Sequence, residues 1–135
     1  MDKKMLGIRV QLPVDFETAL KRVADALQTE GFGVLTEIDV QATLHKKLGV
    51  DFRPYRILGA CNPPLAYRAL SADAEVGLLL PCNVTVSYHA DRLTDVALLD
   101  PLMMTDLVDA PELAAVAQEA WERLQRVAAA LRQGE

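Results

Sequence analysis

The C-terminal stretch of this 135-residue chain constrains its fold most strongly. Leu113, Val116, Ala120, Leu124, Val127 and Leu131 recur three and four positions apart, which puts them on one face of a helix. Asp109 and Glu112 fit a capping box that would start that helix, and it runs to about Arg132. At ~1.5 Å per residue such a helix is roughly 34 Å long, enough to cross a whole sheet. An uninterrupted apolar stripe of that length needs a layer to lie on.

The rest of the sequence supplies the layer. Leu6 to Leu12 alternates apolar and polar residues and reads as a strand ended by Pro13. Asp15 is expected to cap a helix with its carboxylate. Phe16, Leu20, Val23 and Leu27 share one face of that helix, and Gly31 is its stop. Phe32 to Ile38 reads as a second strand. Asp39 then opens a short helix bearing Val40, Leu44 and Leu48, closed by Gly49. Pro54 to Ala60 is a third strand. Asn62-Pro63 is a helix start, since asparagine caps and proline at the first position loses no bond. This helix ends near Leu70. Asn83 to Tyr88 and Leu93 to Leu98 are strands joined by a turn at Asp91-Arg92, and Asp100-Pro101 opens a helical turn. The order β-α-β-α-β-α-β-β-α predicts an α+β fold: a five-stranded, largely antiparallel sheet with helices packed on one face, in one domain over residues 1–135.

Bulk properties narrow the function. The net charge of −5 argues against a general phosphate-backbone binder, which needs basic surface to release counterions. The segment from Met1 to Arg9 has no long apolar core, so no secretion signal is expected. The longest apolar run, Val76 to Pro81, is too short to span a bilayer. Two cysteines without a secretion signal favour the cytoplasm and free thiols. There is no Walker loop, no nucleophile elbow around Ser71 or Ser87, no Cys-x-x-Cys and no His-Glu-x-x-His. Gly31-Phe32-Gly33 follows a helix and lacks a third glycine, so it is no dinucleotide fingerprint. No cofactor is called for.

The one candidate site surrounds the cysteines. Cys61-Asn62-Pro63 leaves the third strand and Pro81-Cys82-Asn83 enters the fourth. Antiparallel pairing of those strands would bring Cys61 and Cys82 to one end of the sheet, with Cys61 just before a helix N-terminus that favours anions. A redox dithiol, a soft-metal site and an anion-binding corner with a nucleophilic thiol are the functional readings. The plain reading is two small buried hydrophobes, and Cys82 shares parity with Val84, Val86 and Tyr88. Met103 and Met104 are soft ligands that would suit copper beside the thiols. Zinc fits poorly, because His89 lies seven residues beyond Cys82 on a strand, about 23 Å away. Asn62 is explained by capping, and Asn83 falls on a polar strand face. Arg53, Tyr55 and Arg56, beside Lys46 and Lys47, are a small basic and aromatic cluster; a solvated face is the plain reading of it.

The words Gly-Phe-Gly-Val-Leu-Thr-Glu-Ile-Asp-Val (31–40), Leu-Gly-Ala-Cys-Asn-Pro (58–63) and Leu-Leu-Leu-Pro-Cys-Asn-Val (78–84) resemble the domain-of-unknown-function 302 family, from Gly7 to about Met104. The resemblance implies a small α+β fold similar to the TATA-binding-protein topology and a homodimer, and it implies no activity. Its motif singles out Cys61, Asn62, Pro63, Pro81 and Cys82. The expectation is a non-enzymatic homodimer that binds a small ligand or a partner. The alternatives are a thiol-dependent redox or copper function at Cys61 and Cys82, and nucleic-acid association.

Overall fold

The computed structural model describes residues 6–134. The absence of a secretion signal was read largely from residues 1–5, which lie outside that range. Five strands, β1 (Gly7–Leu12), β2 (Gly33–Asp39), β3 (Tyr55–Cys61), β4 (Cys82–Ala90) and β5 (Leu93–Leu99), form a sheet in the order β1-β5-β4-β3-β2, and every neighbouring pair is antiparallel. The helices are α1 (Phe16–Thr29), α2 (Val40–Leu48), α3 (Pro63–Ala72), α4 (Met103–Leu107) and α5 (Pro111–Gln133). This is the expected α+β architecture with its helices on one side.

Strand alternation explains which face they cover. Val10 and Leu12 of β1, Val84 and Val86 of β4, and Val96 and Leu98 of β5 are buried, with the less buried Gln11, Thr85 and Ala97 between them. Ala19, Val23, Ala26 and Leu27 of α1 pack on this face with Leu124, Val127, Ala128 and Leu131 of α5. The first half of α5 supplies a second cluster. There Leu113, Val116, Ala117 and Ala120 meet Leu65 and Ala69 of α3, Val76 and Met104. The long apolar stripe is thus divided between two cores.

Local signals set most boundaries. Asp39 caps α2, accepting from the Ala42 amide at 2.9 Å, and α1 stops before Gly31, whose φ of +84° is the left-handed region that glycine tolerates. Two expectations need correction. Asp15 occupies the N-cap position of α1, but its carboxylate makes no capping bond. The capping box of Asp109 and Glu112 does not form: Pro111 takes the first helical position, Ala110 becomes the cap, and Glu112 falls one position short of where the box needs it. The apolar positions of α2 are not buried, and Leu48 is 68% exposed. A 3₁₀ helix at Ala74–Leu79, capped by Asp73, was not expected from the apolar run there. No helix among the described residues is long and apolar enough to cross a membrane.

Candidate functional site

Where the two cores meet, they leave a crevice of ≈ 310 Å³. It lies between α3 and α5 on one side and the start of β2, the end of β3 and the start of β4 on the other. Small side chains make the room: Ala60 on β3, Ala66 and Ala69 on α3, and Ala120 on α5 all face it. Phe32, Leu65, Leu80 and Val116 supply larger hydrocarbon, and Leu35 and Leu70 line it while remaining 68% and 43% exposed. Beyond the two thiols, Thr36 and Asn62 are the polar side chains of the lining.

Of the residues singled out in the sequence, Cys61, Asn62, Pro81, Cys82 and Met104 line this crevice. Pro63 opens α3 on its exposed side and is not part of the lining. Asn83 is exposed and pairs in register with Gly59, one step out of phase with the buried face, so strand alternation takes it out of the site. Met103 is also outside the lining. The contributions of Ala66, Ala69, Ala120 and Leu35 were not anticipated; alanine recurring among the leucines of α3 and α5 is no signal until the two helices face each other.

The two cysteines are unbridged. Cys82 is the register partner of Ala60, so Cys61 is the next residue along the adjoining strand. Burial pushes the Cys82 thiol up to about 11, and the neighbouring Cys61 adds to the rise. At neutral pH Cys82 is therefore a neutral thiol within largely apolar surroundings. No group of three or more His, Cys, Asp or Glu side chains placed to hold a metal ion occurs among the described residues.

Polar bonds fasten the walls. Asn62 caps α3, its Oδ1 accepting from the Leu65 amide at 3.3 Å, while its Nδ2 donates to the Glu30 carbonyl at 3.2 Å. Capping alone therefore does not account for Asn62. The same carbonyl accepts from Arg123 of α5 at 3.1 Å, so α1, α3 and α5 converge there. Arg68 of α3 donates to Glu119 of α5 at 2.9 Å, and Arg123 donates to the same carboxylate at 3.3 Å. The Arg68 bond above all, with Arg123 adding to it, holds the Glu119 carboxyl below its ordinary value, against a smaller opposing effect of desolvation.

The basic and aromatic cluster divides. Arg56 turns to Glu37 and, at 3.4 Å, to Asp39. Arg53 lies over the Phe52 ring, 4.7 Å from its centroid. Lys46 and Lys47 are exposed on the last turn of α2. His89 contacts Asp95, 3.0 Å away, and does not line the crevice.

Comparison with known proteins follows this geometry. The family model described as "Domain of unknown function DUF302" matches residues 8–131. The fold is similar to a crystal structure described as an uncharacterized conserved protein DUF302 from Bacillus stearothermophilus. The TM-score is 0.83 and the identity 31%, over 93% of this chain and 98% of that one. Comparison with curated proteins gives no match.

Proposed function

The chain belongs to the DUF302 family, and from that premise we propose that it is a non-enzymatic homodimer that binds a small apolar ligand in the crevice between α3, α5 and the sheet. The observation that carries the reading is the unfilled junction of the two cores. Hydrocarbon lines it on both sides, and exposed Leu35 and Leu70 belong to the same lining. Its ≈ 310 Å³ stands at the lower end of ligand pockets, which run about 300–1,000 Å³. Each Å² of apolar ligand surface removed from water there is worth about 25 cal/mol. No polar group in the lining is arranged as a nucleophile with a base, which favours binding over chemistry.

The test is fluorescence enhancement of N-phenyl-1-naphthylamine, a neutral apolar probe of suitable size. Ala66→Leu and Ala69→Leu, which fill the crevice, should abolish the enhancement while circular dichroism stays native. An unaltered signal in both variants, or none with the unaltered protein, overturns the reading.

Met104 favours a second reading. Its thioether shares the crevice with both thiols, a set of three sulfur donors that suits monovalent copper. Copper would have to displace the proton that burial keeps on Cys82. Competition against a chromophoric copper(I) chelator tests this: Cys61→Ser, Cys82→Ser and Met104→Leu should each weaken uptake. Uptake that is absent, or equal in all three variants, removes copper without touching the apolar-ligand reading.

A further inference from the structure

We propose that the open face of the sheet, opposite the helices, carries a second ligand site for a small anion bearing a planar ring, of the nucleoside monophosphate class. The strand register builds it. Arg9, Ala97 and Thr85 form one row across β1, β5 and β4. Gln11, Asp95, Ser87 and Tyr55 form the next row and reach β3. At ~4.8 Å between strands the second row spans about 14 Å from β1 to β3. Ala97, Thr85 and Ser87 in the middle are smaller than Arg9 and Tyr55 toward the ends, and the face is a trough, ≈ 640 Å³ in volume.

The ends of the trough carry the chemistry. Arg53 sits beside Tyr55, 5.7 Å from its ring centroid, and over Phe52, so two rings hold its guanidinium in place. Arg9 stands at the other end. Arg56, Arg68, Arg123 and Arg126 each pair with a carboxylate. Among the described residues Arg9 and Arg53, like Arg22, Arg92 and Arg132, have no carboxylate partner, and of these five only Arg9 and Arg53 line the trough. Two guanidiniums with no carboxylate partner among the described residues, over one concavity in a protein of net charge −5, are a local complement to an oxyanion.

The remaining lining selects the rest of the ligand. The Tyr55 ring offers a surface for a planar ring, and the Thr85 and Ser87 hydroxyls offer bonds along the floor. Asp95 is the carboxylate of the lining. It already accepts from Gln11 at 2.8 Å and contacts His89 Nδ1 at 3.0 Å. Its remaining acceptor capacity suits a ligand that carries hydroxyl or amino donors as well as its anionic group. A phosphate with a sugar and a base meets all three demands within the span of the trough. Two cations are too few to hold a polymer through its phosphates, which favours a small ligand over a nucleic acid.

The test is titration of adenosine monophosphate into the isotope-labelled full chain, read by amide chemical shifts. Shifts should concentrate at Arg9, Thr85 and Ser87 and leave the α3 amides unmoved. Arg9→Gln and Arg53→Gln, both at exposed positions, should each weaken binding about tenfold, and adenosine or inorganic phosphate alone should bind more weakly than the monophosphate. No trough shifts at millimolar ligand, or equal affinity in the double variant, overturns the proposal. So does a single-stranded oligonucleotide that shifts these amides when the monophosphate does not. None of these outcomes depends on the crevice, which lies on the helix side of the sheet.

Discussion

The side-chain amide of Asn62 donates to the backbone carbonyl of Glu30, 32 positions earlier, at 3.2 Å, and so joins the start of α3 to the end of α1. The same side chain accepts from the Leu65 amide. Asn62→Ala removes both bonds from a buried position and should destabilise the fold by about 1–3 kcal/mol. Asn62→Ser restores a capping oxygen but cannot reach Glu30, so its loss should be smaller. Urea unfolding midpoints in the order native, Ser, Ala check this; equal midpoints for Ser and Ala would show that the cap contributes nothing.

Gly59 of β3 lies between Thr36 of β2 and Pro81, where close approach forbids a side chain. A Cβ there would collide with the Thr36 hydroxyl and come within 2.8 Å of Pro81 Cγ. Gly59→Ala should therefore cost about 1–3 kcal/mol through overpacking. Adding Thr36→Ala should recover part of the loss, because the Pro81 ring still stands in the way. Full recovery in the double variant would show that the proline yields freely.

These two positions mark what was legible in the sequence. Signals that act within one turn of chain could be read directly: Asp39 before α2, Gly31 after α1, and Asn62-Pro63 before α3. The capping box failed over one position, since proline fixed the start of α5 at residue 111 and shifted Glu112 out of register. That Cys61 and Cys82 share one end of the sheet followed from pairing β3 with β4. The crevice itself was not legible. Ala66, Ala69 and Ala120 are unremarkable helix formers, and the volume they lack has meaning only once α3 and α5 face each other. The Asn62 bond to Glu30 and the parting of Arg53 from Arg56 are likewise set by tertiary contacts with no local pattern.

Cys82 should couple stability to alkaline pH. Its thiol is raised from 9.0 to about 11, chiefly by burial and then by Cys61. The folded state thus favours the protonated form. The associated stability is complete below about pH 9, where the unfolded chain also keeps its proton, and is lost as pH rises toward 11. The informative measurement is a difference between the native protein and a variant without this thiol. The native protein should lose more stability between pH 8 and 11, roughly the range of the thiol values, than Cys82→Ala does. Parallel pH profiles for the two proteins would refute a burial-raised thiol. Iodoacetamide labelling at pH 8 should also be slow at Cys82, because that pH lies well below the raised value of about 11 and little thiolate is present.

The proposed homodimer is expected to form through β2. This strand is an edge of the sheet, and its free side presents unpaired amides and carbonyls. Its sequence, Gly-Val-Leu-Thr-Glu-Ile-Asp, contains neither lysine nor proline, two of the residues that commonly protect an edge, and its charged residues Glu37 and Asp39 are both engaged by Arg56. Leu35 is 68% exposed and Ile38 49% exposed, and on the following helix and loop Leu48 and Val50 are 68% and 44% exposed. The opposite edge, β1, instead presents Arg9 and Gln11 to solvent. Two copies related by a two-fold axis could join their β2 strands antiparallel and bury this apolar surface isologously. Light scattering should give the mass of a dimer. Ile38→Lys places a charge on the edge and should shift the mass toward the monomer, with the helical circular dichroism signal intact. A monomeric mass for the unaltered chain at micromolar concentration would remove the dimer, and a dimer untouched by Ile38→Lys would move the interface away from β2.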